Sequence, residues 1–312
     1  RLLGVILLVF LLTRIDVIAL VDTLKSADPL PVLVSVILVV LLISIKTVRW
    51  QGILRAQAIA LPLTEALIAY FASLFIGFLT PGRLGEFSRA LYISEERNTR
   101  PGVAFSSVLA DRLFDLYALL LVGCAALYSL GTDRLQAYLL ILFFIALTAP
   151  FALFLYDRFF LWLRQLGQRI GIVGRNLFAE DGWLVGMRDG LMRMSVSWLL
   201  VSMVLTVLSY GVFFGQCYLL SRAVGIRLGF MPITYAVALG SLVTLLPFSI
   251  SGLGTREATI TAYLALSGVR PEVALSFSLL VFATFYIAGG LMGAVAWWIK
   301  PVPFSALRRV RE

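Results

Sequence analysis

The sequence predicts an all-α polytopic membrane protein of about six spanning helices plus two re-entrant helical hairpins, arranged as an inverted repeat. Three observations lead there. Of 312 residues, 61% are hydrophobic and 14% charged, against about 45–50% and about 25% in soluble domains. Apolar runs of spanning length recur along the chain. Two further runs, 63–92 and 232–268, are interrupted by Pro, Gly and charge, one in each half.

In chain order the uninterrupted runs are 2–21, 32–49, 102–130, 135–156, 195–221 and 272–299. The chain opens on Arg1 rather than Met, so a short N-terminal piece is expected ahead of it. Leu2 to Leu12 has the length of a signal-peptide core, but no small-residue cleavage site follows, and it reads as the first span. The first interrupted run carries Leu79-Thr80-Pro81-Gly82-Arg83-Leu84-Gly85-Glu86-Phe87-Ser88-Arg89. The second carries Leu246-Pro247-Phe248-Ser249-Ile250-Ser251-Gly252-Leu253-Gly254-Thr255-Arg256-Glu257. Pro removes a backbone donor, Gly loosens a helix, and a charge at depth costs roughly 2.5–3.5 kcal/mol on insertion scales. Irregular backbone at membrane depth survives only against protein or a wet cavity. Broken segments in corresponding places of two halves point to a transport site.

The positive-inside rule decides whether the broken runs cross or return. If both return, with the N-terminus inside, the inside segments are the N-terminus, 46–62, 93–101, 157–194 and 300–312. These hold sixteen of the 26 Lys and Arg. Five (Lys25, Arg134, Arg222, Arg227 and Arg270) lie outside and five within membrane segments. If the first broken run crossed once, the six Arg of 157–194 would fall outside. The hairpin reading therefore gives two halves of one plan in opposite orientation. These are 1–156 with hairpin 63–92, and 195–312 with hairpin 232–268, the last span and a basic tail of Arg308, Arg309 and Arg311. The linker 157–194 joins them on the cytoplasmic side. It mixes Phe159, Phe160, Leu161, Trp162, Leu163 and Leu166 with Arg158, Arg164 and Arg169, as an amphipathic helix on an anionic leaflet does. The expected location is the cell (inner) membrane, with both termini cytoplasmic.

One span carries charge at depth, Asp111-Arg112-Leu113-Phe114-Asp115, with its two carboxylates on one helix face. Together with Arg83, Glu86, Arg89, Arg256 and Glu257 it makes four charges of each sign, a neutral set that a low-dielectric interior permits. Two readings stay open. The charges pin the broken helices together, or arginines at the hairpin tips bind an anion beside the free N–H groups of half-helices. Arg83, Arg112 and Arg256 are the phosphate-binding candidates. Glu86, Asp111, Asp115 and Glu257 are counter-charges, one of them able to couple a proton, and Arg89, Ser251 and Thr255 complete the substrate-binding set. Arg14 and Asp16 read as a local or snorkelling pair, and Tyr210, Tyr218, Tyr235, Tyr263 and Tyr286 as belt or packing residues.

The net charge of +9 is scattered between apolar runs, which argues against a nucleic-acid partner. The chain has no His, which removes His-based acid–base chemistry and His-ligated zinc or haem. Cys124 and Cys217 fall in apolar runs and read as packing residues. No catalytic residue, metal or cofactor is expected.

The motifs Thr80-Pro81-Gly82-Arg83-Leu84-Gly85-Glu86, Asp111-Arg112-Leu113-Phe114-Asp115 and Pro247 to Glu257 resemble those of the lysylphosphatidylglycerol synthase transmembrane-region family. That family is the flippase-like module of the bacterial multiple peptide resistance factor. The resemblance covers nearly the whole chain and implies movement of a lipid between leaflets, with aminoacylated phosphatidylglycerol the known type of cargo. The soluble aminoacyl-transferase domain is not in this sequence, which leaves the cargo open. The leading expectation is a flippase for a phosphate-bearing lipid, of phospholipid or polyprenyl-phosphate type, with that anionic lipid as partner. A second copy of the chain or a separate lipid-modifying enzyme are the compatible protein partners. The alternative is a membrane-embedded enzyme, such as a glycosyltransferase, using Asp111, Asp115 or Glu257 on a lipid-phosphate substrate. Its one sizeable loop offers Glu180, Asp181 and Asp189 without a nucleotide-sugar motif. A third class is a scaffold whose charges are purely structural.

Overall fold

The structure, a computed structural model, describes residues 12–13, 16–80, 82–131, 145, 148–149, 152–169, 172–245, 249 and 251–301. All regular structure among the described residues is helical. Helix α1 (Val17–Lys25) is capped by Asp16, whose carboxylate accepts from the N–H groups of Ile18 at 2.9 Å and Ala19 at 3.1 Å. The capping role of Asp16 is not part of its reading as a local or snorkelling pair with Arg14. A carboxylate beside orphan helix N–H groups serves them as an N-cap. Arg14 and most of the expected span 2–21 lie outside the described residues.

Three long helices follow the expected spans 32–49, 195–221 and 272–299. They are α2 (Pro29–Ala56), α9 (Val196–Ala223) and the continuous run Pro271–Ile299, each long and apolar enough to cross a membrane. The last comprises α12 (Pro271–Val281), a π-helical segment (Phe282–Ala288) and α13 (Gly289–Ile299). α2 begins at Asp28, whose side chain accepts from Leu30 N–H, with Pro29 at the first helical position, where a missing donor costs nothing. Its outward face carries Leu30, Leu33, Ile37 and Leu41, while Ser35, Thr47 and Arg49 are buried. α9 repeats the pattern, with Leu200, Val204 and Val207 outward and Ser202, Thr206, Ser209 and Gln216 inward. Apolar surface outside and polar groups inside is what a lipid surround selects, because lipid satisfies no hydrogen bond. α5 (Pro101–Ser129) covers the expected span 102–130 and carries Asp111, Arg112 and Asp115 in its middle. The expected span 135–156 lies for the most part outside the described residues.

Both interrupted runs are broken helices. In the first, α3 (Leu63–Leu79) gives way to a 3-10 turn (Leu84–Ser88) and then α4 (Arg89–Glu96). In the second, α10 (Phe230–Thr244) ends before a turn that leads into α11 (Thr255–Ala265). Pro81 and Pro247, expected to break these helices, lie outside the described residues. The described backbone turns by left-handed residues. They are Gly82 and Arg83 (φ 59° and 57°) in the first break, and Ser251, Gly252 and Gly254 (φ 52°, 74° and 81°) in the second. Among the described residues, each break thus holds one non-glycine residue, Arg83 or Ser251, in a region that costs L-residues about 1–2 kcal/mol. The two turns touch. Ser251 Oγ donates to the Phe78 carbonyl at 2.5 Å, and a Cβ on Gly82 would sit 3.2 Å from the Leu245 carbonyl oxygen.

The long helices α2 and α9 pack side by side, α3 packs against α13, and α10 packs against α5. The first arm of the first broken segment thus lies on the last long helix, and that of the second lies on α5. The linker forms α6 (Asp157–Arg169), α7 (Ile172–Leu177) and α8 (Trp183–Met192). α6 buries Phe160 against Phe154 and Phe178 and exposes Leu161, Trp162 and Leu166. α8 is not a surface helix but is docked on α5. Gln57 Nε2 donates both to the Gly190 carbonyl at 3.1 Å and to Ser106 Oγ at 3.0 Å, and a Cβ on Gly102 would meet the Trp183 carbonyl oxygen at 2.1 Å.

Gly252 tests the turn geometry. Its φ is positive, and an added Cβ would lie 2.2 Å from Thr244 Cγ2. Gly252→Ala is expected to lower stability by the left-handed penalty of about 1–2 kcal/mol plus about 1–3 kcal/mol of overpacking. Gly211→Ala, with open space at its Cβ, is expected to be neutral or stabilising in its helix. Thermal unfolding of the two purified variants checks this, and equal midpoints would count against the described turn.

Candidate functional site

The centre of the molecule is built on α5. Asp111 is fully buried and takes charge from three arginines. Arg49 Nε donates to its Oδ1 at 2.8 Å, Arg89 Nη2 to Oδ2 at 2.5 Å and Arg112 Nη2 to Oδ2 at 3.1 Å. Tyr70 Oη adds a donor to Oδ2 at 3.3 Å and itself accepts from Arg112 at 2.8 Å. One turn on, Asp115 pairs with Arg49 at 2.8 Å, Lys46 at 3.0 Å and Arg112 at 3.0 Å. Arg49 also reaches Thr206 Oγ1 on α9 at 2.8 Å and the Asp111 carbonyl at 3.1 Å. Glu86, on the 3-10 turn, is fully buried and meets Arg112 at 2.7 Å and Arg83 at 3.7 Å. Arg89 lies over the Tyr70 and Trp50 rings at 4.2 and 4.9 Å.

The sequence places Lys46 and Arg49 in the cytoplasmic segment 46–62, at the end of a span closing at 49, and not among the candidate site residues. α2 continues to Ala56, so both sit in the interior, one turn apart on one helix face. The signal was the apolar stretch resuming at Trp50 and running through Ile53 and Leu54, all three fully buried. The neutral set of four and four is thereby corrected. Six cations (Lys46, Arg49, Arg83, Arg89, Arg112 and Arg256) face four carboxylates (Glu86, Asp111, Asp115 and Glu257), a formal charge of +2.

The second break contributes a separate pair. Arg256 Nε donates to Glu257 Oε1 at 3.1 Å, and a second contact between the pair runs through Arg256 Nη2. Glu257 Oε2 meanwhile accepts from Gly254 N–H at 2.6 Å, capping the start of α11. No ion pair joins Arg256 and Glu257 to the Asp111 centre among the described residues. The π-helical segment does join them. Tyr286 receives Arg256 over its ring at 4.6 Å and Arg83 at 4.9 Å, and its neighbours Phe282 and Phe285 each take one of the two at 5.0 and 5.4 Å. Sequence reasoning put Tyr286 among packing aromatics, because nothing in its apolar run marks the π turn that aims it. π turns gather at functional sites.

Between the two breaks lies a cavity of about 50 Å³ lined by Lys46, Arg83, Arg256, Tyr210, Ser241, Thr244 and Tyr286 among others. It has room for only a few water molecules. Arg83 Nε and Arg256 Nη1 are buried without a hydrogen-bond partner among the described residues. Ser251 and Thr255 do not line the cavity. Ser251 holds Phe78, while Thr255 Oγ1 meets Ser249 Oγ at 2.9 Å and donates to the Gly252 carbonyl at 3.1 Å. Glu86, Arg89, Asp111, Arg112, Asp115 and Glu257 stand behind the wall, and Arg83 and Arg256 face in.

Asp111→Asn removes the counter-charge of three arginines and is expected to cost about 3–5 kcal/mol, as breaking a buried pair does. Arg83→Gln, whose carboxylate partner is 3.7 Å away, is expected to cost about 1 kcal/mol. Thermal midpoints of the two variants decide, and equal losses would contradict the division between a structural centre and a cavity-facing rim.

The sequence model for the lysylphosphatidylglycerol synthase TM region matches residues 1–293. Two relatives, each called a UPF0104 membrane protein and both from Methanothermobacter thermautotrophicus, are similar over most of their length. One is 23% identical over 299 residues, covering 88% of this chain and 84% of the relative. The other is 24% identical over 285 residues, covering 81% and 80%. With membrane-length helices, a buried charged centre and a match along nearly its whole length, the chain is a membrane protein belonging to the lysylphosphatidylglycerol synthase transmembrane-region family.

Proposed function

We propose that the protein is a flippase that moves a phosphate-bearing lipid between leaflets, binding the headgroup in the cavity between the two broken segments. The observation that carries this reading is the lining of that cavity. Lys46, Arg83 and Arg256 face it, two of their N–H groups have no hydrogen-bond partner among the described residues, and the surrounding buried cluster of described residues carries an excess of two positive charges. A buried excess charge is costly unless something neutralises it, and an anionic headgroup does so. Arg112, a further candidate phosphate ligand, acts from behind by holding Glu86.

The topology in this reading is the inverted repeat, with 63–92 and 232–268 as re-entrant hairpins entered from opposite sides. The exchange of packing between halves supports it, α3 on α13 and α10 on α5, as does the direct contact of the two turns. Moving Lys46 and Arg49 into the interior leaves fourteen Lys and Arg inside against five outside, so the cytoplasmic placement of the linker and both termini keeps its sign. At about 50 Å³ the cavity is smaller than the roughly 300 Å³ of ordinary ligand pockets. Transport therefore requires the turns to part, breaking the Ser251–Phe78 bond and the Gly82–Leu245 contact. Alternating access by rocking of one repeat against the other does this.

The topology is tested by single cysteines in a background without Cys124 and Cys217. Ala58 and Asn98 flank the first hairpin, Arg227 and Ser267 the second, and all four are exposed. Cysteines at 58 and 98 are expected to label only from the cytoplasmic side, and those at 227 and 267 only from the other. A hairpin whose two flanks label from opposite sides is a crossing, which would sink the inverted repeat. Function is tested by headgroup translocation in proteoliposomes. Arg256→Ala is expected to abolish transport of a phosphate-bearing lipid while the variant stays folded. Product formation from a labelled donor without translocation would move the assignment to the enzyme reading.

A further inference from the structure

Resting on the transport reading, we infer that the headgroup is a compact phosphate monoester or a bare phosphate terminus, and that aminoacylated and zwitterionic headgroups are rejected. Three independent features of the cavity point there. The first is the sign of its wall. Lys46, Arg83 and Arg256 line it, and no carboxylate does among the described residues. Each cation has its carboxylate on the far side, Asp115 for Lys46, Glu86 for Arg83 and Glu257 for Arg256. A headgroup ammonium placed here would meet three cations and only the hydroxyls of Ser241, Thr244 and the tyrosines, and like-charge juxtaposition rejects a wrong partner.

The second feature is charge balance. A phosphate monoester carries about −1.5 to −2 at pH 7 and offers three strong acceptor oxygens, which matches the formal excess of +2. A phosphodiester carries a single charge and leaves the cluster unbalanced. The third is geometry. The unpartnered Arg83 Nε and Arg256 Nη1 belong to guanidinium groups stacked on the same ring, Tyr286. Both arginines line the same cavity, so one tetrahedral group there is offered donors from each break, and the narrow cavity favours an unsubstituted phosphate over one bearing glycerol and an amino acid. This sets the chain apart from the lipid in its family's name, whose lysyl headgroup brings cationic ammonium groups.

The test is translocation by proteoliposomes holding wild-type protein, with phosphatidic acid, phosphatidylglycerol, phosphatidylethanolamine and lysylphosphatidylglycerol as separate probes, and inorganic phosphate uptake as a further arm. Phosphatidic acid is expected to move roughly tenfold or more faster than the diester and faster still than the lysyl lipid. Ser241→Asp puts a carboxylate in the wall and is expected to cut phosphatidic acid transport by roughly tenfold while raising that of the lysyl lipid. Should that variant fail to fold, Arg83→Gln reduces the excess charge and is expected to narrow the monoester–diester ratio. Lysylphosphatidylglycerol moving as fast as phosphatidic acid would overturn the inference and leave lipid transport standing. Uptake of inorganic phosphate with no lipid movement would keep the cavity's chemistry, assign it to the free ion and overturn the flippase reading. No movement of any probe above protein-free vesicles would overturn both.

Discussion

Asp111 is the point on which the rest of the structure hangs. A single buried carboxylate receives Arg49 from α2, Arg89 from α4, Arg112 from its own helix and Tyr70 from α3. A charge that deep is tolerable only if its lone pairs are filled. Filling them fixes the position of three separate helices relative to α5. Asp115 extends the arrangement by one turn to Lys46, and Arg49 extends it to α9 through Thr206. In a lipid surround, where apolar faces gain nothing by meeting each other, packing and such polar contacts must carry helix association.

The remaining charges depend on that centre being over-supplied with arginine. Arg112 meets Glu86 at 2.7 Å, while Arg83 stands off the same carboxylate at 3.7 Å. Arg83, held in a left-handed turn, leans on Phe78, Phe285 and Tyr286. Arg256 approaches the same tyrosine from the second turn. The aromatic contacts favour a cation through the ring quadrupole without neutralising it; Arg256 keeps Glu257 as its partner, and its Nη1, like Arg83 Nε, has no hydrogen-bond partner among the described residues. The π turn at Phe282–Ala288 carries three aromatic side chains, of which Tyr286 meets both arginines, Phe282 meets Arg256 and Phe285 meets Arg83. Structure and site are thus joined, with the filled carboxylate of Asp111 at one end and the cavity-lining Arg83 and Arg256 at the other.

Much of this was legible in the sequence. Composition gave the helical membrane class, and the Pro- and Gly-marked breaks located both turns. The Asp111-Arg112-Leu113-Phe114-Asp115 pattern marked the centre, because carboxylates four apart in an apolar run need partners. What escaped were residues whose role depends on tertiary placement. Lys46 and Arg49 stand near the end of an apolar run, where snorkelling is the ordinary reading, and only the continuation of α2 to Ala56 buries them. Tyr286 looks like any aromatic in a span until a π turn aims it. Ser251, Thr255 and Glu257 carry the chemistry of ligands, yet their polar atoms hold the second turn in place. Motif chemistry alone does not separate a ligand from a cap.

The central claim is that Arg83 and Arg256, from different halves of the chain, grip one phosphate. A double-mutant cycle on phosphatidic acid binding by purified protein, with Arg83→Gln, Arg256→Gln and the combination, tests it most directly. If one phosphate bridges both, each single change weakens binding and the pair is non-additive, with an interaction of about 0.5–3 kcal/mol. Additive losses, or single changes that leave binding intact in folded protein, would contradict the account.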